Sequence, residues 1–480
     1  MATSLRVAVI GAGAAGLAAA RELRGEGHAP VVFERAGDVG GTWIYDAEQQ
    51  GGHSSLYASL RTNLPREVMG FLDFPFAAVP GDSVDARRFP SHREVLRYVQ
   101  AYARRFELRG LIRFRTEVLA VSRRRQQQSG WSVRWRRTTA SEEEEEEEEA
   151  FDAVVVCNGH YTEPRVADDI PGVADGAWPG KQTHSRAYRV PGPFAGQVVV
   201  IVGASNSGAD ISRDIAAVAK EVHMANRAAP ADTCRRLPGY QNLWLRSMVE
   251  RAEEDGSVVF RDGSSVKADI IMHCTGYKYS FPFLGDDSTI TIDDNRIHPL
   301  YKHVFPPQAA PYLSFIGLPF KADSEPPDII CIQVIPFPLV QLQSRWVAGV
   351  LSGRIQLPST EEMMDDVRAL YSEMEAAGTP TRHTHCLKYN QVSILNGVEQ
   401  GNVLNFKFDD DLTLHCGPFI QFEYDDWLAE QSGHAKVEEW RKQMYDQVSQ
   451  KKKDCPETYR DQWDDHHLLE QANQCFQKYL

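Results

Sequence analysis

Short, wholly apolar runs alternate with amphipathic stretches along this chain, a pattern that predicts a parallel sheet buried on both faces and flanked by helices. Val7–Ile10 fits a buried strand, the alanine-rich stretch after it a helix, and Val31–Phe33 the next strand. His92 to Leu108 places Val95, Leu96, Val99, Tyr102 and Phe106 at helical spacing. Residues 112–124 and 130–137 read as strands around a turn, and 151–158 as a buried parallel strand ending in Asn158-Gly159. The pattern then starts again: a strand after Gln197, a helix from Gly208 to Lys220, and a strand reaching Arg227. A poorly patterned stretch follows to Trp244, and then a hairpin with Asp262-Gly263 at its turn and an apolar strand into Thr275-Gly276. The segments AVVVCNGHY and IIMHCTGYKY resemble each other and are expected to mark two crossings between domains. Residues 312–320 read as a last strand, 339–353 as a helix stopped by Gly353, and 360–378 as an amphipathic helix. Helices carrying Trp427, Trp440 and Trp463 complete the chain.

Each of the two strand–helix–strand units carries a glycine-rich turn. The first has Gly11, Ala12, Gly13, Ala14, Ala15 and Gly16, with Glu34 at the end of the following strand. The second has Gly203, Ala204, Ser205, Asn206, Ser207 and Gly208, with Arg227 taken as the counterpart of Glu34. In such a turn the first glycine bends the chain off the strand, the second lets a pyrophosphate approach the backbone, and the third lets the helix pack close. The helix N-terminus then offers free N–H groups to the phosphates. A carboxylate at the strand end accepts hydrogen bonds from an unphosphorylated ribose, whereas a guanidinium neutralises a 2′-phosphate. The first turn therefore suits FAD or NAD and the second NADP. A chain holding both is expected to pass electrons from NADPH to a flavin. Ser205 departs from the glycine usual at that place, and the hydroxyls of Ser205 and Ser207 suit phosphate.

Composition narrows the picture. At 480 residues, the chain suits two or three domains. Its net charge of −14 disfavours a nucleic-acid partner. Part of that charge is the unbroken run Glu142 to Glu149, read as a solvated loop inserted in a hairpin and opposed by arginines on its flanks. No stretch approaches the roughly 20 apolar residues of a membrane helix, and the N-terminus runs directly into the first strand, so a cytoplasmic protein without a membrane anchor is expected. Eight cysteines are scattered with no CxxC pair, which argues against zinc or a disulfide framework. Cys157, Cys274 and Cys331 are expected to be buried thiols. Gly40-Gly41-Thr42-Trp43 offers no cysteine pair where a flavoprotein disulfide reductase would need one.

Between the two turns, Trp178 to Arg189 reads WPGKQTHSRAYR. It resembles the FxGxxxHxxx(Y/F) signature of the flavin-containing monooxygenases, with Trp178 for Phe, His184 in the middle and Tyr188 at the end. Tyr188-Arg189 argues against Baeyer–Villiger monooxygenases, whose version ends in Trp-Pro. LRTNLPREVMGF, RFPSHREVLRYVQAYA, VVVCNGHYTEP, HCTGYKYSFPFL and IPFPLVQLQSRW also look like this family, most of all its plant glucosinolate S-oxygenase-like branch. The resemblance implies a Rossmann-like FAD domain, residues 1–170, with an inserted NADPH domain, 171–285. Residues 286–480 then complete the FAD domain and add a helical C-terminal region. It implies that the first turn, Glu34, Gly41, Thr42, Trp43, Thr62 and Gln343 hold FAD, and that the second turn with Arg227 holds NADPH. Asn63 matches the family's asparagine beside the flavin, where a C4a-hydroperoxide forms. The reaction implied is oxygenation of a soft nucleophile, a thioether sulfur such as that of a methylthioalkyl glucosinolate or an amine nitrogen, with molecular oxygen as co-substrate. An auxin-type oxidative decarboxylase and a non-oxygenating NADPH oxidase or flavin reductase stand as alternatives. His184 is expected to buttress the domain junction, and an oligomer is compatible with the sequence.

Overall fold

The central strand of each sheet carries an unbroken apolar run, Val7–Ile10 and Val198–Val202, because it is buried on both faces. The computed structural model of the protein describes residues 4–48, 54–77, 83–124, 130–138, 146–285, 289–320, 334–387 and 421–479. In the strand Arg6–Ile10, Val7 and Val9 face one core while Ala8 and Ile10 face another. In Val198–Val202, Val199 and Ile201 turn to one side, Val200 and Val202 to the other. Such strands need parallel neighbours and covering layers on both sides.

The first sheet is five-stranded and parallel, in the order Leu313–Phe315, Ala153–Val156, Arg6–Ile10, Ala29–Phe33, Ile112–Arg113. The second has six strands, in the order Lys181–His184, Ile270–His273, Val198–Val202, Glu221–Ala225, Leu243–Arg246, Cys234–Arg236, antiparallel only at its last pair. Both have the same plan. The strand before the glycine turn is central, the strand after the helix lies on one side, and a later strand on the other. A three-stranded antiparallel meander precedes that later strand in each: Thr116–Arg123, Trp131–Arg137 and Glu146–Phe151 in the first, Val249–Ala252, Ser257–Phe260 and Ser265–Lys267 in the second. The two crossing segments pair as a short antiparallel ribbon, Tyr277 opposite Pro164 and Lys278 opposite Glu163.

Several elements differ from expectation. The stretch 112–124 is two strands, broken at Arg115, whose φ is +52°. The poorly patterned stretch before Trp244 contains the strands Cys234–Arg236 and Leu243–Arg246. The acidic run is not only a loop: Glu146–Glu149 belong to a strand, with Glu148 opposite Arg134 and Glu146 opposite Arg136. Glu142–Glu145 lie outside the described residues. Cross-strand arginines neutralise charge that would repel itself in isolation.

The helix Pro336–Leu351 is buried along nearly its whole length, against the helix Ala14–Gly25 on one side and the helix Gln421–Ser432 on another. Thr360–Ala376 starts with a capping box between Ser359 and Glu362, and Gly378 in the left-handed region (φ +64°) follows it. The C-terminal helices Gln421–Ser432, Glu439–Asp454 and His466–Phe476 are not an appendage. Their Tyr424, Trp427, Trp440, Met444, Leu468 and Phe476 share one core with Val7 and Val9. Among the described residues, no helix is long and apolar enough to cross a membrane.

Candidate active site

The two glycine turns have nearly the same local geometry. Gly11 has φ +102° and Gly203 φ +109°, a region that disfavours side chains. A Cβ on Gly11 would lie 2.6 Å from the Cys157 carbonyl oxygen, and one on Gly203 2.5 Å from that of Cys274. A Cβ on Gly16 would lie 1.8 Å from the Gly11 carbonyl oxygen, and one on Gly208 2.0 Å from that of Gly203. Cys157 and Cys274 are thus buried directly beneath the turns; their thiols are pushed up by burial, that of Cys274 to about 12. Cys331 lies outside the described residues.

Gly13 and Ser205 precede their helices with the same ordinary backbone, φ −74° and ψ −173° against φ −70° and ψ −172°. Glycine at 13 therefore serves close approach and not backbone freedom. Its Cα faces Gly41, where a Cβ would come to 2.9 Å from the Gly13 Cα. Gly13 and Gly41 together leave a cradle that a Cβ would fill. The turn Gly41–Trp43 (with Thr42) closes it, and Trp43 packs on the main core. No side chain caps either helix, so the N–H groups of their first turns, including those of Ala14, Ala15 and Asn206, are available to an anion. The hydroxyls of Ser205 and Ser207 bond to no other described residue.

Glu34 is buried, and its carboxylate accepts from the Ala12 N–H at 2.7 Å and the Ala36 N–H at 2.8 Å, which aims it at the turn. The counterpart in the second unit is not Arg227, the residue that the sequence suggests. Gly11 donates to the Phe33 carbonyl and Gly203 to the Ala225 carbonyl, so the residue in the place of Glu34 is Asn226. Arg227 stands one position further, in register with Arg35. A neutral side chain in the place of Glu34 removes the carboxylate that would repel a 2′-phosphate. Arg227 is exposed and meets Asp169 at 3.3 Å, a surface pair that leaves the guanidinium accessible.

The junction motif has a steric basis. The Trp178 ring lies over Gly180, where a Cβ would be 2.1 Å from the indole. His184 is buried; its Nδ1 accepts from the Arg186 N–H at 3.0 Å, so Nε2 donates to the Gly276 carbonyl at 3.1 Å. Burial lowers its pKa to about 4. With both nitrogens committed to backbone and the ring neutral, His184 ties the crossing segment to the inserted domain. Tyr188 donates to Asp214 at 2.5 Å, and Arg189 donates to the carbonyls of Asp46, Ser54, Arg186 and Tyr188.

Thr62 is buried and donates to the Leu64 carbonyl at 2.8 Å, so it closes the turn before Pro65. That leaves the Asn63 side chain for other work. Its Oδ1 accepts from Arg460 at 2.5 Å and from the Tyr459 hydroxyl at 3.2 Å. Arg460 also pairs with Asp210 on the helix Asn206–Ala216, at 2.7 Å. Asn63 therefore stands where both nucleotide domains and the C-terminal region meet. Gln343 is fully buried, accepts from the Gly317 N–H at 2.9 Å and donates to the Tyr424 hydroxyl at 3.0 Å. Gly317 in turn faces Ala15 of the first turn. Nothing in the sequence marks Tyr459 and Arg460, because Asn63 lies almost 400 residues away and neither periodicity nor motif links them.

Comparison with known proteins places this geometry in a family. Residues 4–240 and 235–410 match the model of the flavin-binding monooxygenase-like family. The chain is 51% identical to flavin-containing monooxygenase FMO GS-OX-like 4 of Arabidopsis thaliana, over 99% of this chain and 98% of the relative. It is similar to the solved structure of S-allyl-L-cysteine S-oxygenase from Allium sativum, with TM-score 0.85, 50% identity and 99% of each chain covered. The Tmm protein of a Pelagibacter species shares the fold at 23% identity, TM-score 0.71, over 95% of this chain and 93% of that one. Two dinucleotide-binding domains of the same plan, and a match across most of the length, make this chain a member of the flavin-binding monooxygenase-like family.

Proposed function

We propose that the protein is an NADPH- and dioxygen-dependent S-oxygenase acting on a thioether. The observation that carries this reading is the half-identical S-oxygenase structure spanning the whole chain. Gly11 to Gly16, Glu34 and the turn Gly41–Trp43 would hold FAD, supported by Thr62 and by Gln343 acting through Gly317. Gly203 to Gly208 and Arg227 would hold NADPH. When bound, the cofactors supply the redox chemistry: NADPH, a proton, dioxygen and the thioether become NADP⁺, the sulfoxide and water.

The chain's own part is to bind, orient and exclude water. The helix N-termini and the Cβ-free cradle take the pyrophosphates. Glu34, fixed by two backbone N–H groups, would accept from a ribose hydroxyl of FAD. The Asn63 oxygen is occupied by Arg460 and Tyr459, so the amide would have its N–H donors for the reacting centre. His184 takes no proton, since neither ring nitrogen is free.

The test is coupling. Purified enzyme given NADPH and S-allyl-L-cysteine, used as a model thioether, is expected to form sulfoxide carrying ¹⁸O from ¹⁸O₂, nearly one per NADPH consumed. Asn63→Leu is expected to keep FAD and consume NADPH yet divert most of those electrons to peroxide. NADPH consumption that yields only peroxide in the wild type with a panel of thioethers would overturn the S-oxygenase reading. A fully coupled Asn63→Leu would remove Asn63 from the chemistry.

A further inference from the structure

We infer that Arg460 is a positioning residue: it sets the orientation of the Asn63 amide and ties that amide to the NADPH-binding domain. The inference rests on the reading of Asn63 given above. The Arg460 guanidinium makes four hydrogen bonds in two directions. Toward the FAD domain it donates to Asn63 Oδ1 at 2.5 Å and to the Thr62 carbonyl at 3.1 Å. Toward the NADPH domain it donates to both oxygens of Asp210, at 3.1 and 2.7 Å. Arginine has no acceptor, so an Asn63 amide turned the other way would set N–H against N–H. Tyr459 is a second donor to the same oxygen, at 3.2 Å. The oxygen is thereby committed to the protein, and the amide nitrogen has no partner among the described residues.

Asp210 lies two residues beyond Gly208, the last glycine of the second turn, and also accepts from the Tyr57 hydroxyl at 3.1 Å. Its position depends on where that helix sits. The same C-terminal segment makes further contacts on both sides. Lys452 donates to Asn206 at 2.6 Å, Glu457 pairs with Arg213 at 2.8 Å, and Asp461 pairs with Arg61 at 2.8 Å. Among the described residues, only Arg460 bonds both to Asn63 and to the nucleotide-binding helix with one rigid group. The planar fork holds both partners in a fixed relation, which a flexible ammonium does less well. Asn63 is thus presented correctly when the NADPH domain is seated against the FAD domain.

The experiment compares holoenzymes of wild type, Asn63→Ala, Arg460→Met, Arg460→Lys, Asp210→Asn and the double variant Asn63→Ala/Arg460→Met. Three quantities are read: peroxide per NADPH consumed with S-allyl-L-cysteine present, the NADP⁺ concentration that half-completes the flavin spectral change in oxidised enzyme, and FAD content. Arg460→Met is expected to retain FAD, raise the peroxide fraction severalfold and weaken the NADP⁺ response by about tenfold, the scale of a lost charge-assisted contact. Arg460→Lys is expected to recover part of both. The double variant is expected to leak no more peroxide than Asn63→Ala, because the two act as one unit. Wild-type coupling in Arg460→Met beside an uncoupled Asn63→Ala would overturn the role of Arg460 and leave that of Asn63 standing. Wild-type coupling in Asn63→Ala would instead overturn the reading of Asn63, and the inference with it. Should Arg460→Met lose FAD, Asp210→Asn decides: it keeps an acceptor but removes the charge, and unchanged coupling and NADP⁺ response there would also overturn the inference.

Discussion

Single missing methyl groups set the nucleotide sites. Gly16 has no room for a Cβ, because the Gly11 carbonyl oxygen would lie 1.8 Å away and belongs to backbone that cannot swing aside. Gly16→Ala is therefore expected to push the helix Ala14–Gly25 off its strand, at a cost of about 1–3 kcal/mol, and to lower bound flavin. The ratio of absorbance at 450 nm to that at 280 nm in purified protein checks this. Arg227 works by charge. Its partner among the described residues, Asp169, is itself exposed, so the guanidinium is accessible to a 2′-phosphate. Arg227→Ala is expected to raise the KM for NADPH about tenfold or more, the equivalent of roughly 1.5–3 kcal/mol, and to leave that for NADH nearly unchanged. Steady-state kinetics with both coenzymes tests it, and equal changes would show that Arg227 does not read the phosphate.

At the scale of elements, the acidic strand shows composition being overruled by pairing. Glu149 pairs with Arg113 and Arg6, and accepts from the Trp135 indole at 3.2 Å. The hydrogen bond from Arg113 leads in holding its carboxyl down at about 2, with burial opposing. A carboxylate held lower in the folded state stabilises above its unfolded pKa, near 4.5, and loses that effect as pH falls toward 2. Solvent screens this partly exposed group, so the effect is about 1 kcal/mol. Glu149→Gln is expected to be less stable than wild type by that amount at pH 7, with the gap closing between pH 4.5 and 2. Urea unfolding across that range measures it, and a gap independent of pH would contradict the assignment.

At the scale of the whole molecule, one plan of sheet, turn and meander is used twice, and the C-terminal helices join the halves. Arg441 shows how firmly. It is buried, and its guanidinium donates to the carbonyls of Glu67, Val68 and Gly70, which end the short helix Arg66–Met69. Arg441→Met fills similar space but leaves buried carbonyls unsatisfied, each costing about 1–3 kcal/mol. The variant is expected to unfold at least several degrees lower and to lose flavin together with its C-terminal helices. Thermal unfolding followed by flavin fluorescence and by circular dichroism tests this. Separate transitions would show the C-terminal region to be an independent unit.

Local features were legible in the chain itself. Val7–Ile10 and Val198–Val202 announce doubly buried strands, because a run without polar positions has no solvent face to offer. Gly11 and Gly203 mark turns that favour glycine, Gly16 and Gly208 the close approach of helix to turn, and their spacing follows from one strand, one turn and one helix in succession. Glu146–Glu149 form a strand where a loop is expected, since the arginines that oppose them do so across a sheet and a list of charges does not show pairing. The equivalence of Arg227 with Glu34 was misplaced by one residue, since strand register is fixed by hydrogen bonds between chains of residues far apart. Asn63 was found by resemblance, but what holds its amide was not, for Tyr459 and Arg460 come from the other end of the chain. What is local can be read from the order of residues: which segments become strands, and where glycine lets the chain turn sharply into a helix. Tertiary structure alone decided how the two nucleotide domains face each other and which side chains meet between them, because those contacts depend on packing between segments hundreds of residues apart.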